Sequence, residues 1–228
     1  MKEKRVSVFF MLMGILFCVC LVASNLLETK VLQLGPVSLT AGFMVFPISY
    51  ILNDCIAEVW GYRKARLIIW MGFLMNFFVV GLGLLAVALP AAPYWIENEP
   101  HFNFVFGLAP RMALASFTAF LVGSFLNAYV MSKMKLASQG KNFSLRAIVS
   151  TLVGEGADSL IFFPLAFWGL MPFPEVVKLM AIQVVAKTLY EIIALPLTIR
   201  VVKKVKQIEG VDVYDENVSY KIWKIKDL

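Results

Sequence analysis

Between Val6 and Val202 the chain is a succession of six apolar runs. Each is close to the ~20 residues that a helix needs to cross the ~30 Å hydrocarbon core of a bilayer. No water is present there to satisfy backbone N–H and C=O groups, so a run of this kind folds as a helix. The runs cover 6–27, 39–59, 67–89, 111–131, 145–170 and 174–202, and Pro90 and Pro93 close the third. Sixty per cent of the residues are hydrophobic, whereas a soluble domain is about half apolar. The expectation is an all-α membrane protein with six transmembrane helices. A transmembrane domain over 1–205 is followed by a polar tail over 206–228. The tail is mixed in charge, which places it in solvent or against the membrane surface. Met1 to Cys20 begins like a signal peptide, but the apolar run continues through Leu27 without a small-residue cleavage site. It reads as a retained first helix.

The net charge of +6 raises the question of nucleic acid, but the basic residues sit at the ends of the apolar runs. Seventeen of the 21 Lys and Arg residues fall in four regions. These are Lys2, Lys4 and Arg5; Arg63, Lys64 and Arg66; Lys133, Lys135, Lys141 and Arg146; and the C-terminal group from Arg200 to Lys206 with Lys221, Lys224 and Lys226. Placing all four on the cytoplasmic side satisfies the positive-inside rule for six spans, with both termini cytoplasmic. Lys30, Arg111 and Lys178 then lie outside, and Lys187 falls within the sixth run. Cys18, Cys20 and Cys55 all lie in apolar stretches and read as small packed hydrophobes rather than a disulfide framework.

The opposite connections differ in character. Glu28 to Thr40, with Leu34-Gly35-Pro36-Val37 at its centre, reads as a turn or hairpin. Pro90 to Pro110 is rich in proline, aromatics and acid; it reads as an interfacial connector, with a lid as the second reading. Ala115, Ala119 and Gly123 form a small-residue stripe, which lets helices approach closely within the bundle or in a homodimer.

Polar residues inside the runs are few and therefore informative, because ionisable groups in a bilayer face a bundle interior or a cavity. Asn25 and Glu28 share a face of the first helix. Asn53, Asp54 and Glu58 lie on the second, Asn76 on the third and Asn127 on the fourth. The fifth carries Gly154-Glu155-Gly156-Ala157-Asp158-Ser159, where the glycines admit a close backbone or a ligand. Gln183, Lys187 and Glu191 recur every four residues on the sixth. Lys187 pairs with Glu191, Glu155 or Asp158; such a pair is either a structural compensation or part of a solute site. Asn76 and Asn127 read as interhelical hydrogen-bond partners. Motifs for hydrolysis or phosphate binding are absent, and Asp54, Cys55 and Glu58 without histidine make a weak metal set. The pattern is that of a cavity for a small polar solute.

These residues, taken in order, are similar to the queuosine precursor transporter family, also called the vitamin uptake transporter family. The resemblance covers 6–200. It is carried by Ser24-Asn25 with Lys30, by Asn53-Asp54-Cys55 through Glu58, by Gly61-Tyr62 and Ala65-Arg66, by Gly154-Glu155 with Asp158-Ser159 and Phe162, and by Gln183, Lys187 and Glu191. It implies a multi-pass protein of the bacterial inner (plasma) membrane. Such a protein imports 7-cyano-7-deazaguanine and 7-aminomethyl-7-deazaguanine by alternating access, without enzymatic activity and without a cofactor. Its partners are the 7-deazaguanine and membrane lipid, not nucleic acid.

A deazaguanine offers N–H donors on one edge, which a carboxylate accepts in pairs, and a carbonyl that wants a donor. Glu155 or Asp158 is expected to read that edge, and Asn25, Asn53 or Gln183 to add hydrogen bonds. Asp54 and Glu58 sense the substituent or carry a proton, and Lys187 and Glu191 complete the candidate set. The competing expectations are a substrate-binding subunit of an energy-coupling-factor vitamin transporter, a membrane-embedded enzyme using Asp54, Glu58 and Asp158, and a channel.

Overall fold

The computed structural model describes residues 7–35, 37–107, 109–170, 172–216 and 218–223. Lys2, Lys4, Arg5, Pro36, Lys224 and Lys226, named above, lie outside them. The helices are α1 (Val8–Leu27), α2 (Phe46–Ala88), α3 (Glu99–Gly107), α4 (Ala109–Ala137), α5 (Phe143–Phe167) and α6 (Phe173–Glu209). Between α1 and α2, β1 (Val31–Leu34) and β2 (Val37–Thr40) pair antiparallel with Val31 opposite Thr40, the hairpin expected there. The strand and a 3-10 turn, Ala41–Met44, take up residues assigned above to the second run, so α2 begins at Phe46 rather than Leu39. Among the described residues, four helical stretches are long and apolar enough to cross a membrane: α1, α2, Leu114–Ala137 of α4, and α5. The chain is an all-α membrane protein. At 37 residues α6 is long enough as well, roughly 55 Å at 1.5 Å per residue, but its polar stripe lowers its hydropathy.

The second and third runs are joined without a loop. Helical backbone angles are interrupted only at Gly61, whose φ of 81° and ψ of 172° lie outside the helical region, in territory that only glycine enters at low cost. Partners on α4 show what the break does. Phe46 meets Phe120, Asn53 meets Ser124, Asp54 meets Asn127, and Glu58 approaches Lys135. After Gly61 the order runs backwards, with Trp70 on Phe125, Phe73 on Phe120 and Phe77 on Phe117. The two halves, 46–60 and 62–88, therefore run antiparallel along α4. They are called α2a and α2b below.

The small-residue stripe is used between α4 and α5. Ala115 and Ala119 are buried against Phe162, Phe163 and Ala166. A Cβ at Gly123 would come to 2.8 Å from the Gly154 carbonyl oxygen, and one at Gly154 to 2.9 Å from that of Gly123. The two glycines thus set the spacing of the helices, whereas Gly156 faces open space. An aromatic cluster of Phe17, Phe46, Tyr50, Phe73 and Phe120 ties α1, α2 and α4 together. Between helices in lipid the gain comes from dispersion and fit rather than from exclusion of water. Arg111 donates to the carbonyls of Leu165 and Trp168 at 2.8 and 2.6 Å and so caps the C-terminal end of α5. Inside α6, Pro196 removes one backbone donor.

Residues 211–216 and 218–223 do not stand free in solvent. They fold back as a strap across the Gly61 reversal. Val213 N–H donates to the Val59 carbonyl. The Asp215 carboxylate accepts from the Tyr62 N–H at 3.0 Å and from the Ser132 hydroxyl at 2.5 Å. Tyr62 N–H begins α2b, so Asp215 caps that helix from 153 residues away. Arg66 donates to the carbonyls of Ser219 and Lys221, and Trp70 to that of Ile222. Tyr220 packs between Tyr62 and Tyr129 at 4.9 Å from each.

Candidate functional site

Three polar clusters follow one another through the bundle, and α6 or the strap joins each of them. The first, at the hairpin end, is a narrow, nearly filled cleft lined by Asn25, Glu28, Ser116, Asp158, Gln183 and Lys187 and by the rings of Phe46, Phe162 and Phe163. It shares Asn25, Glu28, Ser116 and Phe162 with a neighbouring narrow cleft, which Asn76 and the α3 residues Val105 and Phe106 also line. The Pro90–Pro110 connection therefore holds a helix whose face closes this side of the cleft. Asn25 donates to Asn76 at 2.8 Å and accepts from the Ser116 hydroxyl, which fixes it between α1, α2b and α4. Gln183 donates to the Thr40 hydroxyl at 2.7 Å, and the Glu28 carboxylate stands beside Thr40 and faces Lys187. Glu28 Oε2 and Gln183 Oε1 are buried with no hydrogen-bond partner among the described residues.

Lys187 is the electrostatic centre of this cluster. Its ammonium lies 2.9 Å from Glu155, 3.8 Å from Asp158 and 3.8 Å from the centroid of the Phe46 ring. Of the three partners proposed from sequence, Glu155 and Asp158 are thus the ones met, while Glu191 turns elsewhere. With Glu28 included, three carboxylates face one cation in a nearly dry site. Such an environment favours a ligand that brings N–H donors or positive charge.

One turn further along α6, Glu191 stands against Asp54 on α2a and Thr151 on α5. Asp54 accepts from Asn127 at 2.7 Å and, at longer range, from Ser150. Asn53 donates to the Ser124 carbonyl and lies outside the cleft lining, held by the α4 backbone.

The third cluster is at the strap end. Glu58 accepts from both terminal guanidinium nitrogens of Arg146 and from the Lys206 ammonium at 2.7 Å, with Lys135 at 3.9 Å. Lys135 and Lys206 reach Asp212 of the strap at 2.5 and 2.9 Å. Partial burial raises the Asp212 carboxyl, and hydrogen bonds from Lys135 and Lys206 more than reverse this, leaving it below the usual carboxylate range. Glu58 is neutralised here, away from the cleft. Part of the basic cluster read above as a membrane edge is spent on this network.

Sequence reasoning passed over Ser116 and left Glu28 outside the candidate set. A serine in an apolar run is too common to stand out. Glu28 sits at the end of its run, where a charge needs no explanation. Its i, i+3 relation to Asn25 was the available signal.

A bundle of apolar helices enclosing buried polar clusters, two of them with more carboxylates than cations, defines a membrane protein built to hold a small polar solute. The sequence pattern of the family described as "Putative vitamin uptake transporter" matches residues 40–201. The chain belongs to that family of transporters, which are not enzymes. A "Probable queuosine precursor transporter" of Bacillus subtilis is 29% identical over 154 residues, 66% of this chain and 66% of the relative. The "Queuosine precursor transporter" of Escherichia coli is 27% identical over 129 residues, 57% of this chain and 55% of the relative. A Haemophilus influenzae relative, also named "Probable queuosine precursor transporter", is 28% identical over 130 residues, 57% of this chain and 52% of its own length. The chain thus spans between about half and two-thirds of these curated relatives. No solved structure matches.

Proposed function

We propose that the chain imports 7-deazaguanine precursors of queuosine, in the cyano form, the aminomethyl form or both, across the bacterial inner membrane by alternating access. Six segments cross the bilayer, with α2a and α2b counted separately and both termini cytoplasmic. The observation that carries the reading is the pair of unpartnered buried acceptors, Glu28 Oε2 and Gln183 Oε1, in a cleft that Asp158 also lines. A guanine-like edge supplies the N–H donors these oxygens lack, and the Phe162 and Phe163 rings supply flat walls. The Gln183 amide and the Lys187 ammonium are donors for the ligand carbonyl. The names of the curated relatives point to the same solute.

The test is uptake in cells that cannot make the precursor. A carboxylate accepting from such donors is worth about 1.5–3 kcal/mol, so Asp158→Ala is expected to lower uptake about ten- to a hundredfold. Unchanged uptake in both Asp158→Ala and Glu155→Ala overturns this placement. Thermal stabilisation of the purified protein by deazaguanines, and not by other purines or vitamins, checks the solute directly.

A further inference from the structure

Asp54 and Glu191 are buried side by side on α2a and α6, and no described lysine or arginine is paired with either. The cation above them, Lys187, is held by Glu155 and Asp158, and the cations below them, Arg146, Lys135 and Lys206, are held by Glu58 and Asp212. The groups that face the pair are Asn127 of α4, Ser150, Thr151 and Glu155 of α5, and Tyr50 and Cys55 of α2a itself. None brings positive charge. Two adjacent carboxylates in a low-dielectric interior cannot both stay ionised without a cation. An independent sign points the same way: Asn127 donates its amide N–H to Asp54 while its own Oδ1 is fully buried with no hydrogen-bond partner among the described residues. That oxygen, on the same amide that binds Asp54, lacks a donor, and Glu191 Oε2 is likewise buried with no hydrogen-bond partner among the described residues.

We infer that Asp54 and Glu191 form a proton-carrying site, separate from the solute cleft, that couples transport to the proton gradient. The step is a proton transfer alone. A carboxyl O–H forms at the pair with a proton taken from water on the acidic side, and the same bond breaks when the proton passes to water on the other side. The link to the solute is α6, which places Lys187 in the cleft and Glu191 one turn away in the pair, with Glu155 near both.

The transport arm of the test rests on the function proposed above. Proteoliposomes holding the full chain receive 7-cyano-7-deazaguanine, with the outside one pH unit more acidic and the membrane potential clamped. One proton per solute concentrates the probe inside by up to about tenfold. Asp54→Asn and Glu191→Gln reach only the level they reach without a gradient. A wild-type chain that merely equilibrates the probe, or that concentrates it under a sodium gradient instead, overturns the proposal. A second measurement needs no solute. Infrared difference spectra at neutral pH are expected to show a protonated carboxyl band in the wild type that is lost or shifted in each variant. Spectra without such a band overturn the proton site. The band together with no stabilisation by any deazaguanine counts against the solute and leaves the proton site standing.

Discussion

Arg146 on α5 grips Glu58 on α2a with both terminal guanidinium nitrogens, 88 positions apart in sequence and buried at the strap end of the bundle. Removing one partner of a buried ion pair costs about 3–5 kcal/mol where the other charge is left alone; here Lys206 still reaches Glu58 at 2.7 Å. Arg146→Ala is therefore expected to lower the thermal unfolding midpoint in detergent, by less than that range implies. The double variant Arg146→Met, Glu58→Gln should lose less than the two single changes added together. Strict additivity would show that the pair is not coupled.

Gly61→Ala places a Cβ where the left-handed, extended backbone disfavours it, at 2.7 Å from Asp215 Oδ1 and 2.9 Å from Val213 Cγ1. The backbone part alone costs about 1–3 kcal/mol. Folded yield and unfolding midpoint should both fall. In a chain ended after Gly210, where the strap's own contacts are already gone, the same change should cost less but not nothing, because the backbone part remains. No cost of Gly61→Ala in that background would mean that the strap contact, and not φ, demands the glycine.

Lys187→Met leaves Glu155 and Asp158 buried together without their cation. The protein is expected to lose folded yield, and adding Glu155→Gln to restore part of it, since a neutral amide needs no counter-charge. Uptake should stay lost in both, because the cleft then lacks its ammonium donor. Uptake that returns with folding would assign Lys187 to scaffolding alone.

The strap should loosen in acid. The folded-state pKa of Asp212 lies below its unfolded value. Its contribution is therefore complete above the unfolded value of about 3.9 and is lost as pH falls through the folded one. Limited proteolysis across 211–223 is expected to accelerate in that acid range for the wild type. Asp212→Asn should be cleaved more readily at neutral pH and respond less to acid.

Much of the architecture could be read from hydropathy and charge. The apolar runs became α1, the two halves of α2, α4, α5 and α6, and Glu28–Thr40 became a hairpin. The alternation of polar residues on one face of the sixth run correctly put Gln183, Lys187 and Glu191 inside the bundle. What escaped was non-local. The Gly61 reversal looks like a short basic connection in sequence, because one glycine among helix formers does not announce a turn. The strap has the composition of a solvated tail, and only its partners Tyr62, Arg66, Trp70 and Ser132, far away in the chain, give it a place. Whether Glu58 or Glu28 faces the cleft depended on which cations the fold brings to each, and spacing along one helix carries no such information.

Pro196 divides α6 between Glu191 and Lys206. A missing backbone hydrogen bond makes a helix easier to bend at that point than elsewhere. A bend there would divide the helix into two levers on one joint. The upper lever bears Gln183, Lys187 and Glu191; the lower one is pinned by Lys206 to Glu58 and Asp212. Tilting the upper lever rearranges the cleft and the carboxyl pair together while the lower one stays anchored.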